Sequence, residues 1–517
     1  MNGGVDEGCR AIINLKGLDP NKVHRFIVGR DQAPISILAG ELHDPFAELL
    51  LEEPPFPRSS DDLVSRFQAA IGLGDPRGQE RSFLVGEGSQ IPIGKIPFDS
   101  RTLRFVVALG NPEVDVILSA FDPRAASIEL MAWDAREKGF NFYRTTEEGA
   151  WVFAGNSADA VRPDTEGKGP FESHKSGNFL MKELRFPWVH WQSFKAEVNP
   201  NIFEGRLGGH RWLRKTGDGN GTLHGADVCE EQVAIRSVDR WTAARFDAIK
   251  TGMEPLRPRR ILEQVITSPT VNLVSSQTTS SAAKNGSPVE IPPQFLVDSE
   301  TLADPQFLGL DAPPRLLIPP TAYEAVLREF DVRLSDGRSF VQQGDTFFAF
   351  VVPVRAVEDI AVVKAAVGTL ITERLAAALL MVDFANPVLS AARERLLQHV
   401  PIGGDLRAGP EQFSETVAEL VRAAADGGPE KDFIEVWDAG DNWREKANAM
   451  LRVYYSALER RLADDPLTAF RDWFQLAESR RRHAKQIMPI FEFPLLLAES
   501  NAPAENLAMR ADATVVR

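Results

Sequence analysis

The residues best suited to chemistry crowd into one stretch of the chain. Four of the eight histidines, His174, His190, His210 and His224, lie there. Neutral imidazole binds metals and haem iron, and it titrates near neutral pH. No two of the four are four residues apart, so they form no helical metal pair. A site would need them to converge in space, with Asp227 or Glu183 completing it. The same region holds Trp133, Trp151, Trp188, Trp191, Trp212 and Trp241, six of the nine tryptophans. Such aromatic density builds a core more often than the wall of a planar-ligand pocket.

Other motifs fail on their own chemistry. Gly72-Leu73-Gly74-Asp75-Pro76-Arg77-Gly78 has two close glycines but no strand leading in. Its third glycine also comes one place late for dinucleotide binding. Before Gly94-Lys95, Ser89 stands where a phosphate loop needs glycine, and Ile96 replaces the magnesium-binding hydroxyl. Asp218-Gly219-Asn220-Gly221-Thr222 begins like a calcium loop. Leu223 then occupies the glycine position and Cys229 the closing glutamate position. Neither a Gly-x-Ser-x-Gly elbow nor a His-Glu-x-x-His helix occurs. The only cysteines, Cys9 and Cys229, form no Cys-x-x-Cys, which excludes thiolate clusters and dithiol redox chemistry.

The elements that would position these residues follow from periodicity. Arg104–Leu109, Val114–Phe121, Ile128–Trp133, Phe140–Tyr143 and Trp151–Ala154 read as an antiparallel meander of five strands. Their hairpin loops carry Gly139 and Gly149 where positive φ is expected. Residues 1–100 read mostly as turns. One short helix there is capped by Asp61 and carries Leu63, Val64, Phe67 and Ile71. Helices are predicted at 239–250, capped by Asp239, and at 258–266. Others open at Thr321, Ser414, Asn442 and Asp465-Pro466. Arg480, Arg481, Arg482 and Lys485 read as a solvated helix end. The fold class predicted is α+β. An antiparallel β-meander domain with loops and helices covers 1–272, a polar linker or mobile loop 273–289, and a mainly helical domain 290–517.

The chain has 517 residues, 43% of them hydrophobic, which supplies ample core. Its net charge of −15 opposes phosphate backbones and anionic lipid, so neither nucleic acid nor membrane is an expected partner. No secretory leader and no spanning apolar run is legible, which predicts a cytoplasmic location. A homo-oligomer or a protein partner would act through the helical half.

His174-x-x-Gly177, Met181-Lys182-Glu183-Leu184, Pro187-Trp188 and Trp191 together resemble a stretch of uncharacterised bacterial cytochrome-c-like proteins. Gly344–Phe350, Arg374-Leu375-Ala376 and Leu380–Val388 are similar to their C-terminal half, so the resemblance spans residues 104–401. In that family the histidine closes a Cys-x-x-Cys-His haem-attachment motif. Here the two cysteine positions fall on Pro170 and Ser173. Neither forms a thioether, so covalent haem is excluded at this position. What the resemblance implies is a non-catalytic scaffold, or a ligand- or partner-binding protein. The alternative is a redox or metal-dependent enzyme around His174 and His190. A non-covalent haem or metal stays open, with His174, Met181 and His190 as its ligands.

Overall fold

The computed structural model describes residues 15–72, 74–86, 103–120, 124–172, 174–179, 210–213, 223–225, 229–251, 258–268, 271–275, 286–335, 341–344, 350–401, 409–425, 427–487 and 499–517. The chain forms two compact units. One comprises Met1–Ser82 with Arg104–Gly177, the other Phe83–Leu103 with Asn178–Arg517.

The first unit is built on a sheet. The strands along this part of the chain are β1 (Val23–Arg25), β2 (Ile35–Ile37), β3 (Glu80–Gly86, of which only the residues up to Ser82 belong to this unit), β4 (Leu103–Leu109), β5 (Val116–Ala120), β6 (Glu129–Asp134), β7 (Gly139–Thr145) and β8 (Trp151–Asn156). Within this unit they run in the order β2-β1-β8-β7-β6-β5-β4. From β4 to β8 the sheet is the expected antiparallel meander. The N-terminal strands then change it into a mixed sheet. β1 lies parallel to β8, pairing His24 with Val152, and β2 turns back antiparallel on β1. Strands of three residues are too short for a period-two pattern, so this segment reads as turn in the sequence.

Cross-strand aromatic pairs hold the meander. Trp133 stands opposite Phe140 with ring centroids 5.0 Å apart, and Tyr143 lies 5.6 Å from Phe153. In the β6–β7 turn the left-handed residue is Lys138, at φ 54°, rather than the expected Gly139. The Asp134 carboxylate accepts from Arg136 N and Glu137 N, and this local pairing holds the turn without glycine. Gly149 does take positive φ, at 81°. Helix α1 (Pro45–Leu50) sets Phe46 against Tyr143 and Trp151. Helix α2 (Ser60–Ile71) buries Leu63, Val64 and Phe67. Its cap is Ser59, whose hydroxyl accepts from Asp62 N, two residues before the expected Asp61.

The second unit is mainly helical, as expected. Its longest helices, Trp443–Asp464 and Pro466–Ile487, are joined through Asp465, which caps the second by accepting from Thr468 N. Phe470, Trp473, Phe474 and Ala477 are buried. Phe470 packs 5.2 Å from Tyr323 and 5.5 Å from Phe350. Several helix starts differ from expectation, because proline fixes φ for a first turn. The helix Pro320–Glu329 begins before Thr321, and Pro410–Ala423 before Ser414. Ser414 is instead buried, accepting from Thr372 N at 3.0 Å. The helix Ile235–Thr251 starts before Asp239, after a π-helical turn at Glu230–Ala234. At the expected linker, 273–275 belong to the strand Val271–Ser275, which pairs with Val351–Arg355. Residues 276–285 lie outside the described residues. Among the described residues, no helix is long and apolar enough to cross a membrane.

Candidate functional site

In the second unit a pocket of about 200 Å³ opens beside the segment Asp383–Ala392. This segment links the helix Glu373–Leu380 to the short helix Ala391–Arg395. Ser479, Arg480 and His483, on the helix Pro466–Ile487, form a second wall, and Asn506–Ala508 a third.

Two residues of the first wall take left-handed backbone, Asp383 at φ 52° and Leu389 at φ 60°. Asparagine and aspartate tolerate that region, but a leucine there is strained. Side-chain hydrogen bonds hold it. Asp383 Oδ1 accepts from Asn386 Nδ2 at 2.7 Å, and its Oδ2 from Ser390 Oγ at 2.6 Å. Ser390 Oγ in turn accepts from Arg393 N, capping the short helix.

Asn386 is the hub. Its Oδ1 accepts from Met509 N at 2.9 Å and Arg480 Nη2 at 3.0 Å. Its Nδ2 donates to Asp383 and to Met509 O at 2.9 Å. Two acceptor bonds and two donor bonds are all that an asparagine amide can make. One buried side chain therefore ties the three walls together.

Arg480 is buried. Its Nη1 donates to Phe295 O at 2.7 Å and its Nη2 to Ala385 O at 2.8 Å. Beneath the wall, buried Arg393 donates from Nη2 to Asn386 O and Pro387 O. Burial pushes both Arg480 and Arg393 down to about 10, in Arg480 against the opposing pull of Tyr454 and Asp383, so both stay charged at neutral pH. Arg355 completes the group, donating from Nε to Asp298 at 2.7 Å and from Nη1 and Nη2 to Gln264 O and Val265 O.

The expected solvated arginine end is overturned for Arg480 and Arg481, both 5% exposed. A signal was present. The apolar stripe Phe470, Trp473, Phe474, Ala477 continues at the same spacing onto 480 and 481. Arg480 thus sits on the core side and satisfies its guanidinium with carbonyls. Arg481 pairs with Glu478.

Of the site residues expected from sequence, the structure describes His174 in the first unit. Its ring lies 5.3 Å from Phe142, its N donates to Pro170 O, and its carbonyl accepts from Gly177 N. Met181, Glu183, His190, Trp188, Trp191 and Asp227 lie outside the described residues, as does the side chain of His224. His210 is buried against Trp212, whose backbone N donates to His210 Nδ1 at 3.3 Å. Trp133, Trp151, Trp212 and Trp241 are buried core. Among the described residues, no group of three or more His, Cys, Asp or Glu is arranged to hold a metal. No family model, curated protein or solved structure matches the chain.

Proposed function

We propose that the chain is a non-catalytic binding protein whose helical unit holds a small polar solute in the pocket at Asp383, Asn386 and Arg480. The observation that supports this is the saturated hydrogen bonding of Asn386, which fixes the pocket walls before any ligand arrives. Preformed walls save the ordering entropy that a loose site would lose on binding. The carboxylate of Asp383 is engaged at both oxygens, and the Ser390 hydroxyl is spent on that carboxylate and on a helix cap. These are the bonds of a scaffold for recognition rather than of a base and nucleophile poised to react.

The test is thermal unfolding of the purified protein with polyols, small carboxylates and inorganic anions. At least one solute should raise Tm, and Ala391→Trp, which fills the pocket mouth from an exposed position, should remove the effect. If no solute shifts Tm, the binding reading fails. A Soret band or stoichiometric metal in the purified protein would replace it with the redox reading at His174.

A further inference from the structure

We propose that this pocket takes a short aliphatic carboxylate, held by the imidazole of His483 and the amide of Asn506. The inference rests on the binding reading above and names its ligand class.

Most oxygens of the pocket walls already accept hydrogen bonds from the protein. Asp383 Oδ1 accepts from Asn386, and its Oδ2 from Ser390. Asn386 Oδ1 accepts from Arg480 and from Met509 N, and Ser390 Oγ from Arg393 N. Ser479 Oγ accepts from Leu507 N at 2.9 Å. Two lining side chains differ. Among the described residues, the half-buried His483 ring and the exposed Asn506 amide make no hydrogen bond or ion pair. His483 stands one turn beyond Ser479 on the helix Pro466–Ile487, so both face the pocket from the same side of that helix. The unspent hydrogen-bonding capacity of the pocket therefore sits on its second and third walls.

Those two groups set the chemistry of the ligand. Imidazole offers one N–H when neutral, and two with a positive charge when protonated. Asn506 is exposed, so its amide can turn N–H toward a ligand and oxygen toward water. A carboxylate, which only accepts, matches both. The other charged side chains lining the pocket are Asp383 and Arg480, of opposite sign, so a proton on His483 makes the lining net positive. A metal cation finds no idle carboxylate, since both Asp383 oxygens are engaged. Val388, Leu389, Ala391 and Leu507 add an apolar lining suited to a hydrocarbon tail. The tail must be short. At ~30 Å³ for each water-sized group, a volume of about 200 Å³ admits roughly six non-hydrogen atoms, the size of propionate or butyrate.

The probes are sodium propionate, titrated at constant ionic strength against sodium chloride, and propionamide as its neutral counterpart. Propionate should raise Tm by about 2–4 °C near saturation, and propionamide should not. His483→Ala removes a ring that has no protein partner, and should weaken propionate binding about tenfold or more. A rise that persists unchanged in His483→Ala is a general salt effect and overturns the inference. Should that variant not fold, wild-type crystals grown with propionate give the second measurement. The bound carboxylate should lie within hydrogen-bond distance of the His483 ring. Propionate found only elsewhere, an adventitious additive only, overturns the inference. Propionamide raising Tm as much as propionate overturns it too, yet leaves the binding reading standing. No response to these probes or to any of the solutes named above sinks both.

Discussion

Asp44 shows what a single buried carboxylate does for the first unit. Its Oδ1 accepts from Phe46 N and Ala47 N, both at 3.0 Å, and so caps α1. Its Oδ2 accepts from Asn141 Nδ2 at 2.7 Å and from the Tyr143 hydroxyl. Burial nevertheless raises its pKa above the usual carboxylate value, the hydrogen bonds offsetting only part of that effect. The folded state then binds the proton more tightly than the unfolded chain. Asp44 therefore contributes most stability below its unfolded pKa, and that contribution is lost as pH rises through the folded value. Asp44→Asn should flatten this fall, so its Tm-against-pH curve should differ in slope from wild type from about pH 4 upward. Parallel curves would refute the assignment. Asp44→Ala loses the cap and strands a buried amide and hydroxyl, at a cost of about 3–5 kcal/mol by urea unfolding. None of this was legible locally, since Asp44 and Asn141 are 97 positions apart and only the sheet brings them together.

At the scale of elements, strand-forming runs were readable where they were long. All five predicted meander strands are present, because alternating and β-branched runs of five to seven residues leave few other options. The short β1 and β2 were not, since their pairing depends on β8 rather than on their own pattern. Close backbone approach was equally invisible. Gly177 has φ 74°, and a Cβ there would lie 2.6 Å from the Ser157 carbonyl oxygen. The Ser157 hydroxyl also donates to Gly177 O at 2.6 Å, fixing this crossing just after β8. Gly177→Ala should cost about 4 kcal/mol or more, since backbone must move. Gly149→Ala is the control. Its φ is 81° with nothing within 4 Å, so only left-handed strain of about 1–2 kcal/mol is expected. Equal losses in urea unfolding would show that the crossing at Ser157 is not tight.

Over the whole molecule, the two units hold separate buried tryptophans. Trp151 in the first is fully buried and donates from Nε1 to Pro57 O at 2.8 Å. Trp473 in the second sits in a large apolar cluster with Phe470 and Phe474. Chains with several units unfold in more than one step. Trp151→Ala and Trp473→Ala should each remove about 3–5 kcal/mol, acting on different calorimetric transitions. If both substitutions lower one shared transition by the same amount, the chain melts as one cooperative body. Composition already indicated enough apolar mass for more than one core, and it did not indicate how the chain divides it.

Local pattern by itself determined the α+β class, the meander and most of the helices of the second unit. Period and propensity act over a few residues and need no distant partner. It also removed dinucleotide, phosphate-loop and dithiol chemistry, because each needs a particular residue at a particular spacing. Only the tertiary structure decided which polar residues meet. Asp383 and Asn386 stood within the segment Leu380–Val388 picked out from the sequence, but Phe295, Arg480 and Met509 come from segments far along the chain. Arg480 illustrates the reason. A helix end rich in arginine is solvated unless another segment covers it, and here carbonyls from residues 295 and 385 do so. Whether a charge faces water or core is settled by what packs against it, and that information lies outside its own helix.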